Sequence, residues 1–224
     1  MGIEDLYYEI LGCKKGSRNC FSKTSKMPGY SFGLPTIACK TGKKLVENKN
    51  STCAHCYARK GMYYHTTVKN SHQRRLDGLN NHLKSGMWEK AFIYALSHID
   101  CGFFRWHDSG DIQSVEHLRA IVKIAEHYNS NKRRIMFWLP TKETKMVEKV
   151  MREMIIPDNL IIRVSSHFTN QKPYDFPNTH TEHTIAGKPV DGKECQAYLN
   201  EPNRCGSCRD CWDRDVKNIS FLKH

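Results

Sequence analysis

The chain has 224 residues, 39% hydrophobic and 26% charged, which suits a globular protein of one domain, with room for one small appended module, and excludes a disordered chain. Its 35 Lys and Arg outnumber 23 Asp and Glu, and the resulting net charge of +12 makes nucleic acid or another polyanion a candidate partner. No run approaches the ~18 consecutive apolar residues of a spanning helix, which excludes a membrane-spanning reading.

The opening Met1-Gly2-Ile3-Glu4-Asp5-Leu6 is acidic and lacks an apolar signal core, and Leu6 stands where myristoylation wants Ser or Thr. A cytoplasmic location is therefore expected. A short helix is predicted over Glu4 to Leu11, within a stretch to residue 65 rich in Gly, Lys, Ser and Cys. The loose alternation of residues 30–38 predicts a strand feeding Cys39. A polar helix over 67–84 precedes an apolar one from Met87 to Ile99. Phe103 to Trp106 reads as a strand ending in the turn His107-Asp108-Ser109-Gly110-Asp111, whose short polar side chains suit helix capping. Val115, Leu118, Ile121, Val122 and Ala125 then fall three and four apart, one stripe of a helix. A second strand, Ile135 to Leu139, is expected to break at Pro140, with Thr141 capping a helix that carries Met146, Val147, Val150, Met151 and Met154. Leu160 to Ser165 gives a third strand, and the chain beyond 168 reads as loop until its last cysteines.

Strand and helix alternating at this spacing predict βαβ units and a parallel sheet of at least four strands. The fold class is α/β, either a partial or complete (β/α) barrel or an open doubly wound sheet. The division read from composition is an extension over 1–30, the (β/α) domain over 31–170, and a cysteine-rich segment over 171–224 packed on it.

Ten cysteines in a reducing compartment point to metal more than to disulfides, and they cluster towards the two ends. At the C-terminal end Cys205, Cys208 and Cys211 recur every third residue, Gly206 allows a tight loop, and Cys195 completes a tetrathiolate. Four soft thiolates suit zinc or a [4Fe–4S] cluster, and an uninterrupted C-x2-C-x2-C run favours the cluster over zinc knuckles. At the N-terminal end Cys39, Cys53 and Cys56 leave one coordination position open, with His55, His65 and His72 as candidates for it. Cys13 and Cys20 read as loop or core thiols and Cys101 as a small buried hydrophobe.

Lys23 to Pro35, Cys39, Cys53-x2-Cys56-Tyr57-Ala58, Arg105 to Asp111, Phe137 to Glu143 and the closing Cys205 to Trp212 resemble the bacteriophage gene-product-88-like family. That resemblance implies a host cytoplasm and little about activity. A wider resemblance is to radical S-adenosylmethionine (SAM) enzymes. Their three cysteines after the first barrel strand hold a [4Fe–4S] cluster whose open iron binds SAM, and many carry an auxiliary cluster in a C-terminal cysteine-rich module. By that resemblance Cys39, Cys53 and Cys56 hold the cluster, Ser109, Gly110 and Asp111 contact SAM, and a reductase supplies electrons. The first two cysteines here are separated by thirteen residues, where that family has three. The substrate class so implied is a nucleic acid, nucleotide or peptide.

Ligands of parallel α/β sheets sit at the carboxyl ends of the strands. That makes Arg105, His107, Asp108 and Asp111, then Thr141, Lys142 and Glu143, then Arg163, Ser165, Ser166 and His167 site candidates, with His107, Asp108 and Lys142 the catalytic ones. Arg105 and Arg163 lie inside apolar strands and call for an anionic ligand or carboxylate as partner. Trp106 and Trp138 read as core. Two further functions stay open: a non-enzymatic electron-transfer or redox-sensing iron–sulfur protein, and a zinc-stapled nucleic-acid-binding protein.

Overall fold

The computed structural model describes residues 2–17, 20–129, 133–175, 180–186, 192–200 and 202–223. Among these residues the helices are α1 (Ile3–Ile10), α2 (Lys40–Leu45), α3 (Thr66–His82), α4 (Met87–Ser97), α5 (Val115–His127) and α6 (Thr144–Glu153). The strands are β1 (Tyr30–Phe32), β2 (Phe103–Trp106), β3 (Met136–Thr141), β4 (Leu160–Ser165), β5 (His180–Ile185), β6 (Lys193–Glu194) and β7 (Asn218–Leu222). All seven join one sheet in the order β1-β2-β3-β4-β5-β7-β6, and every pairing is parallel. The protein is α/β with a parallel sheet. Its order is sequential as far as β5, without the reversal that defines a doubly wound sheet. Among the described residues β1 and β6 are the two edge strands and do not pair with each other; beyond β2, β1 meets only an antiparallel bridge between Ser31 and Ser22.

A sheet that winds one way through right-handed crossovers gathers its helices on one face. That face holds the core: Trp88 and Phe92 of α4, Phe104 and Trp106 of β2, Phe137 and Leu139 of β3, Ile121 of α5 and Val150 of α6. Phe92 stacks on Trp106 with ring centroids 4.6 Å apart. Side chains alternate along a strand, so Arg105 and Trp138, which are register partners, take the other face. There the Arg105 guanidinium lies 4.4 Å over the Trp138 ring. Chain from the C-terminal end covers this second face: Trp212 donates its indole N–H to the Phe104 carbonyl at 2.9 Å and meets Trp138 edge-on at 5.4 Å. Burial on both sides explains why β4 is apolar and buried at every position except for its arginine and serine, which are buried too.

Three expectations are corrected. Strand β3 does not break at Pro140 but runs through it to Thr141. The Met136 N–H points to the β2 side and that of Phe137 to the β4 side; by alternation the nitrogen of Pro140 faces β2, whose ladder with β3 has ended at Trp138. The missing N–H therefore leaves no partner wanting. Second, the chain beyond 168 is not all loop. β5, β6 and β7 extend the sheet across residue 170, and His-Thr-Glu-His-Thr-Ile carries no apolar run to betray β5. Third, Cys13 and Cys20 are joined in a disulfide just after α1. Cys101 is buried in the core, as its place beside a strand predicts.

Candidate functional site

Because the strands are parallel, their carboxyl ends share one edge, and the chain leaving β1 arches over it. Leu34 N–H donates to Ser109 O at 2.8 Å beyond β2, and Thr52 N–H to His167 O at 3.0 Å beyond β4. Beyond β3, the buried Glu143 accepts from Thr41 N–H at 2.8 Å and from the Thr41 hydroxyl at 3.0 Å. Three anchors thus hold the loop that carries Cys39, Cys53 and Cys56. Within it, Ser51 caps a short 3-10 turn by accepting from Ala54 N–H at 3.1 Å. Gly42 faces the sulfurs: a Cβ there would lie 3.4 Å from Cys53 Sγ and 3.9 Å from Cys39 Sγ. The two thiols flank one small gap, and the Cys56 N–H donates to Cys53 O at 3.3 Å.

Burial pushes the Cys39 and Cys53 thiols up, and the neighbouring cysteines and Asp111 push them further, while Lys142 opposes this at Cys53. A bound soft cation would reverse the trend, since it holds the thiolate. Among the described residues no three His, Cys, Asp or Glu side chains are gathered closely enough to hold a single ion. The spacing a cluster needs is wider, because each thiolate takes a different iron. Of the histidines near the set, His55 Nε2 is 2.9 Å from Lys49 O, and His72 sits beside Tyr63.

The turn after β2 is where backbone conformation is unusual. His107 has φ 53° and Gly110 φ 82°, and a side chain at Gly110 would collide with the backbone of Leu34. Asp111 ties this turn to β3: Oδ1 accepts from Thr141 Oγ1 at 2.6 Å and from Ile112 N–H at 2.8 Å, and Oδ2 from Lys142 N–H at 3.0 Å. Ser109 Oγ donates to Leu34 O at 2.8 Å. Ser109, Gly110, Asp111 and Thr141 thus knit loops together rather than cap helices; Ser114 caps α5, accepting from His117 N–H at 3.1 Å. Burial raises the Asp111 carboxyl to about 6 in spite of these hydrogen bonds.

His107 and Asp108 are buried behind this turn. Asp108 Oδ2 accepts from Tyr63 at 2.9 Å, and its carbonyl from Tyr57 at 2.5 Å. Arg105 Nη2 donates to Tyr57 Oη at 2.8 Å. Among the described residues Asp108 Oδ1, both ring nitrogens of His107, Arg105 Nε and Glu182 Oε2 have no hydrogen-bond partner. Lys142 Nζ donates to Ser166 O at 2.6 Å, and its ammonium feels Cys53, Glu182, Asp111 and Cys56.

The second cysteine set lies over the other face of the sheet. Cys205 N–H donates to Lys26 O at 2.9 Å, Cys195 N–H to Ser220 O at 2.9 Å, and Cys208 N–H to Cys205 O at 3.0 Å. Burial raises all four thiols, and Cys205 and Cys208 raise Cys195 further while Cys195 raises Cys211. Arg163, fully buried, holds this segment through backbone carbonyls, and forms no ion pair with another described residue. Its guanidinium donates to the carbonyls of Asp210 at 2.8 Å, Val216 at 2.9 Å, Cys211 and Asp213 at 3.1 Å and Thr181 at 3.4 Å. Arg105 stands between the two sets, bonded to Tyr57 beside Cys56 and lowering Cys205 and Cys211 by its charge.

With this geometry in view, the family model described as Gene product 88 matches residues 11–199. The chain belongs to the gene product 88 family. No curated protein and no solved structure matches it. The matched span contains the first cysteine set and Cys195 and ends before Cys205.

Sequence reasoning missed the roles of Tyr57, Tyr63 and Glu182 in this gene product 88 chain, and the tether formed by Glu143. Glu182 accepts from Ser165 Oγ at 2.5 Å on an inner strand. The buried carboxylate of Glu143 just after β3 is a usable signal in retrospect, but Glu182 is only partly buried and sits inside β5, a strand too polar to be read as one.

Proposed function

We propose that this gene product 88 chain is an iron–sulfur protein of radical-SAM-like design. In this reading Cys39, Cys53 and Cys56 hold a [4Fe–4S] cluster with one iron open, on a partial (β/α) barrel. The observation that carries it is the gathering of Cys39 and Cys53 around one gap at the carboxyl edge of a parallel sheet, held there by Glu143, with Lys142 alongside. The one-way strand order supports the barrel-like winding. Three thiolates suit a cluster with a free iron, and Lys142 would offset its negative charge.

When bound, such a cluster would supply single electrons delivered by a reductase, and Cys39, Cys53 and Cys56 would hold it with one iron left for an exchangeable ligand such as SAM. Asp111 has both oxygens engaged, so Ser109, Gly110 and Asp111 shape the turn, and His107, Asp108 and Arg105 are the groups left to meet a cofactor or substrate. That saturation of Asp111 favours, as a second reading, an electron-transfer protein that does not use SAM. Cys195, Cys205, Cys208 and Cys211 hold a second soft centre, zinc or another cluster.

Purification without oxygen, followed by iron, sulfide and zinc analysis, tests the proposal: about four irons and four sulfides per cluster are expected. Adding SAM to the reduced protein and assaying 5′-deoxyadenosine then separates the two readings. Iron with no product leaves the electron-transfer reading, and zinc alone overturns the cluster.

A further inference from the structure

The loop that bears Cys39, Cys53 and Cys56 also concentrates the positive charge of the chain. Between residues 37 and 69 seven Lys and Arg face a single acid, Glu47, leaving +6, half of the total +12. Lys40, Lys43, Lys44 and Lys49 are exposed on and beyond α2, as are Arg59, Lys60 and Lys69 further on. None of them forms an ion pair with another described residue, whereas Arg119, Lys123, Lys193 and Arg214 elsewhere do.

The same stretch is unusual in its apolar surface. Ile37 is 77% exposed, Met62 69%, Tyr64 61% and Tyr57 51%, and among the described residues only Ile155 and Leu199 join them as exposed large hydrophobics. The short elements bearing these side chains pack on one another: α2 on the turns at 36–38 and 52–55, the turn at 57–59 on that at 61–64, and the latter on α3. Exposed cations and rings are therefore interleaved along the short elements that carry the first cysteine set. Lys69 Nζ lies 4.2 Å over the Tyr64 ring. Tyr57 is anchored through its hydroxyl, which donates to Asp108 O and accepts from Arg105, so its ring is held in place beside Cys56 while remaining half exposed.

Unpaired cations with exposed aromatic faces between them match a nucleic-acid single strand, whose phosphates seek the cations and whose bases stack on the rings. A duplex keeps its bases stacked inside and has no use for the tyrosines. A membrane surface is met by longer amphipathic helices than α2, which has 6 residues.

We propose that residues 37–69 form a docking surface for single-stranded nucleic acid, and that a base stacked on Tyr57 is delivered beside Cys56. The delivery of that base to a reactive centre rests on the cluster reading above; the docking does not.

Full-length protein of known iron content, titrated into a labelled unstructured RNA or DNA oligonucleotide and followed by fluorescence anisotropy over a salt series, tests the surface. Affinity falls as salt rises, and K43Q/K44Q lowers the log–log slope by about 1.4. Y64A weakens binding roughly 5- to 150-fold, and Y57F, which keeps the ring, retains binding that Y57A loses. K90Q/K145Q, exposed lysines on α4 and α6, leaves affinity and slope unchanged. Three results overturn the proposal: no binding by iron-loaded protein, equal weakening by K90Q/K145Q, or capture by anionic phospholipid vesicles in place of the oligonucleotide. Iron-free protein that binds with these variant effects upholds the surface and removes the cluster reading instead.

Discussion

Arg163→Met removes five hydrogen bonds from the centre of the protein at almost constant volume. Four of the accepting carbonyls belong to residues 210–216 and the fifth, Thr181, to β5. A buried hydrogen bond from a charged donor contributes roughly 1.5–3 kcal/mol, so a plain sum would rival the whole stability of a typical domain. Two effects reduce it. The variant no longer has a buried guanidinium to desolvate, and carbonyls of the closing segment regain water if that segment lifts from the sheet. The expected loss is therefore about 3–4 kcal/mol, capped by the cost of detaching residues 205–216. R163K keeps the charge and at most three donors, and should lose about half as much. Urea unfolding of the purified protein gives the magnitude, and amide hydrogen exchange gives its location. Protection should fall at 205–216 and persist at Phe104, Trp106 and Leu139. A change in R163M below about 1 kcal/mol, with exchange at 205–216 unaltered, would refute the account of how the second cysteine set is held.

Glu143→Ala frees the first cysteine loop from β3 and should lower both iron content and stability, by roughly 1–3 kcal/mol, while E143Q retains an acceptor for Thr41 N–H and most of both; equal iron in the two variants would contradict the tether. Because Cys13 and Cys20 are bonded to each other, C13S/C20S should leave metal content unchanged and cost about 2 kcal/mol in thermal or urea unfolding under oxidising conditions. Phe92→Ala, in the aromatic centre of the core, should cost about 3–5 kcal/mol by the same assay, with a smaller loss pointing to looser packing than the ring contacts indicate. Burial pushes the His107 pKa down to about 3 from 6.5. The folded protein then refuses a proton that the unfolded chain accepts, so this contribution is whole above pH 6.5 and drains away as pH falls towards 3. H107N, whose side chain tolerates the positive φ, should flatten that part of the stability profile; an unchanged profile would show that His107 is not its source.

Where burial and period agreed, the sequence was readable. β2 and β4 stand out as short apolar runs, and α5 as a stripe of positions three and four apart. β5 escaped because its partners on both faces are polar, Ser165 for Glu182 on one and Asn218 for Thr181 on the other, so its own residues are polar as well. Pro140 misled because its nitrogen points past the end of a ladder, a fact of register and not of composition. The placement of Cys39, Cys53 and Cys56 after β1, and of His107, Asp108 and Lys142 after β2 and β3, was legible from the strand pattern. The anchors were not: Glu143 to Thr41 spans 102 positions and Tyr57 to Asp108 spans 51, separations that no local pattern encodes. Arg163 stood out as a charge inside an apolar strand, but its partners are carbonyls, which every residue has and no sequence displays.

X-ray absorption at the iron and zinc edges, on oxygen-free wild-type protein and on C53A and C208A, bears most directly on the claim that thiolates of both sets bind soft metal. The account predicts iron in an all-sulfur shell with other irons close by, reduced by C53A, and a second sulfur-bound centre that C208A alone removes. Protein that is folded and carries neither metal, or holds its metal through nitrogen and oxygen in both variants alike, would contradict it.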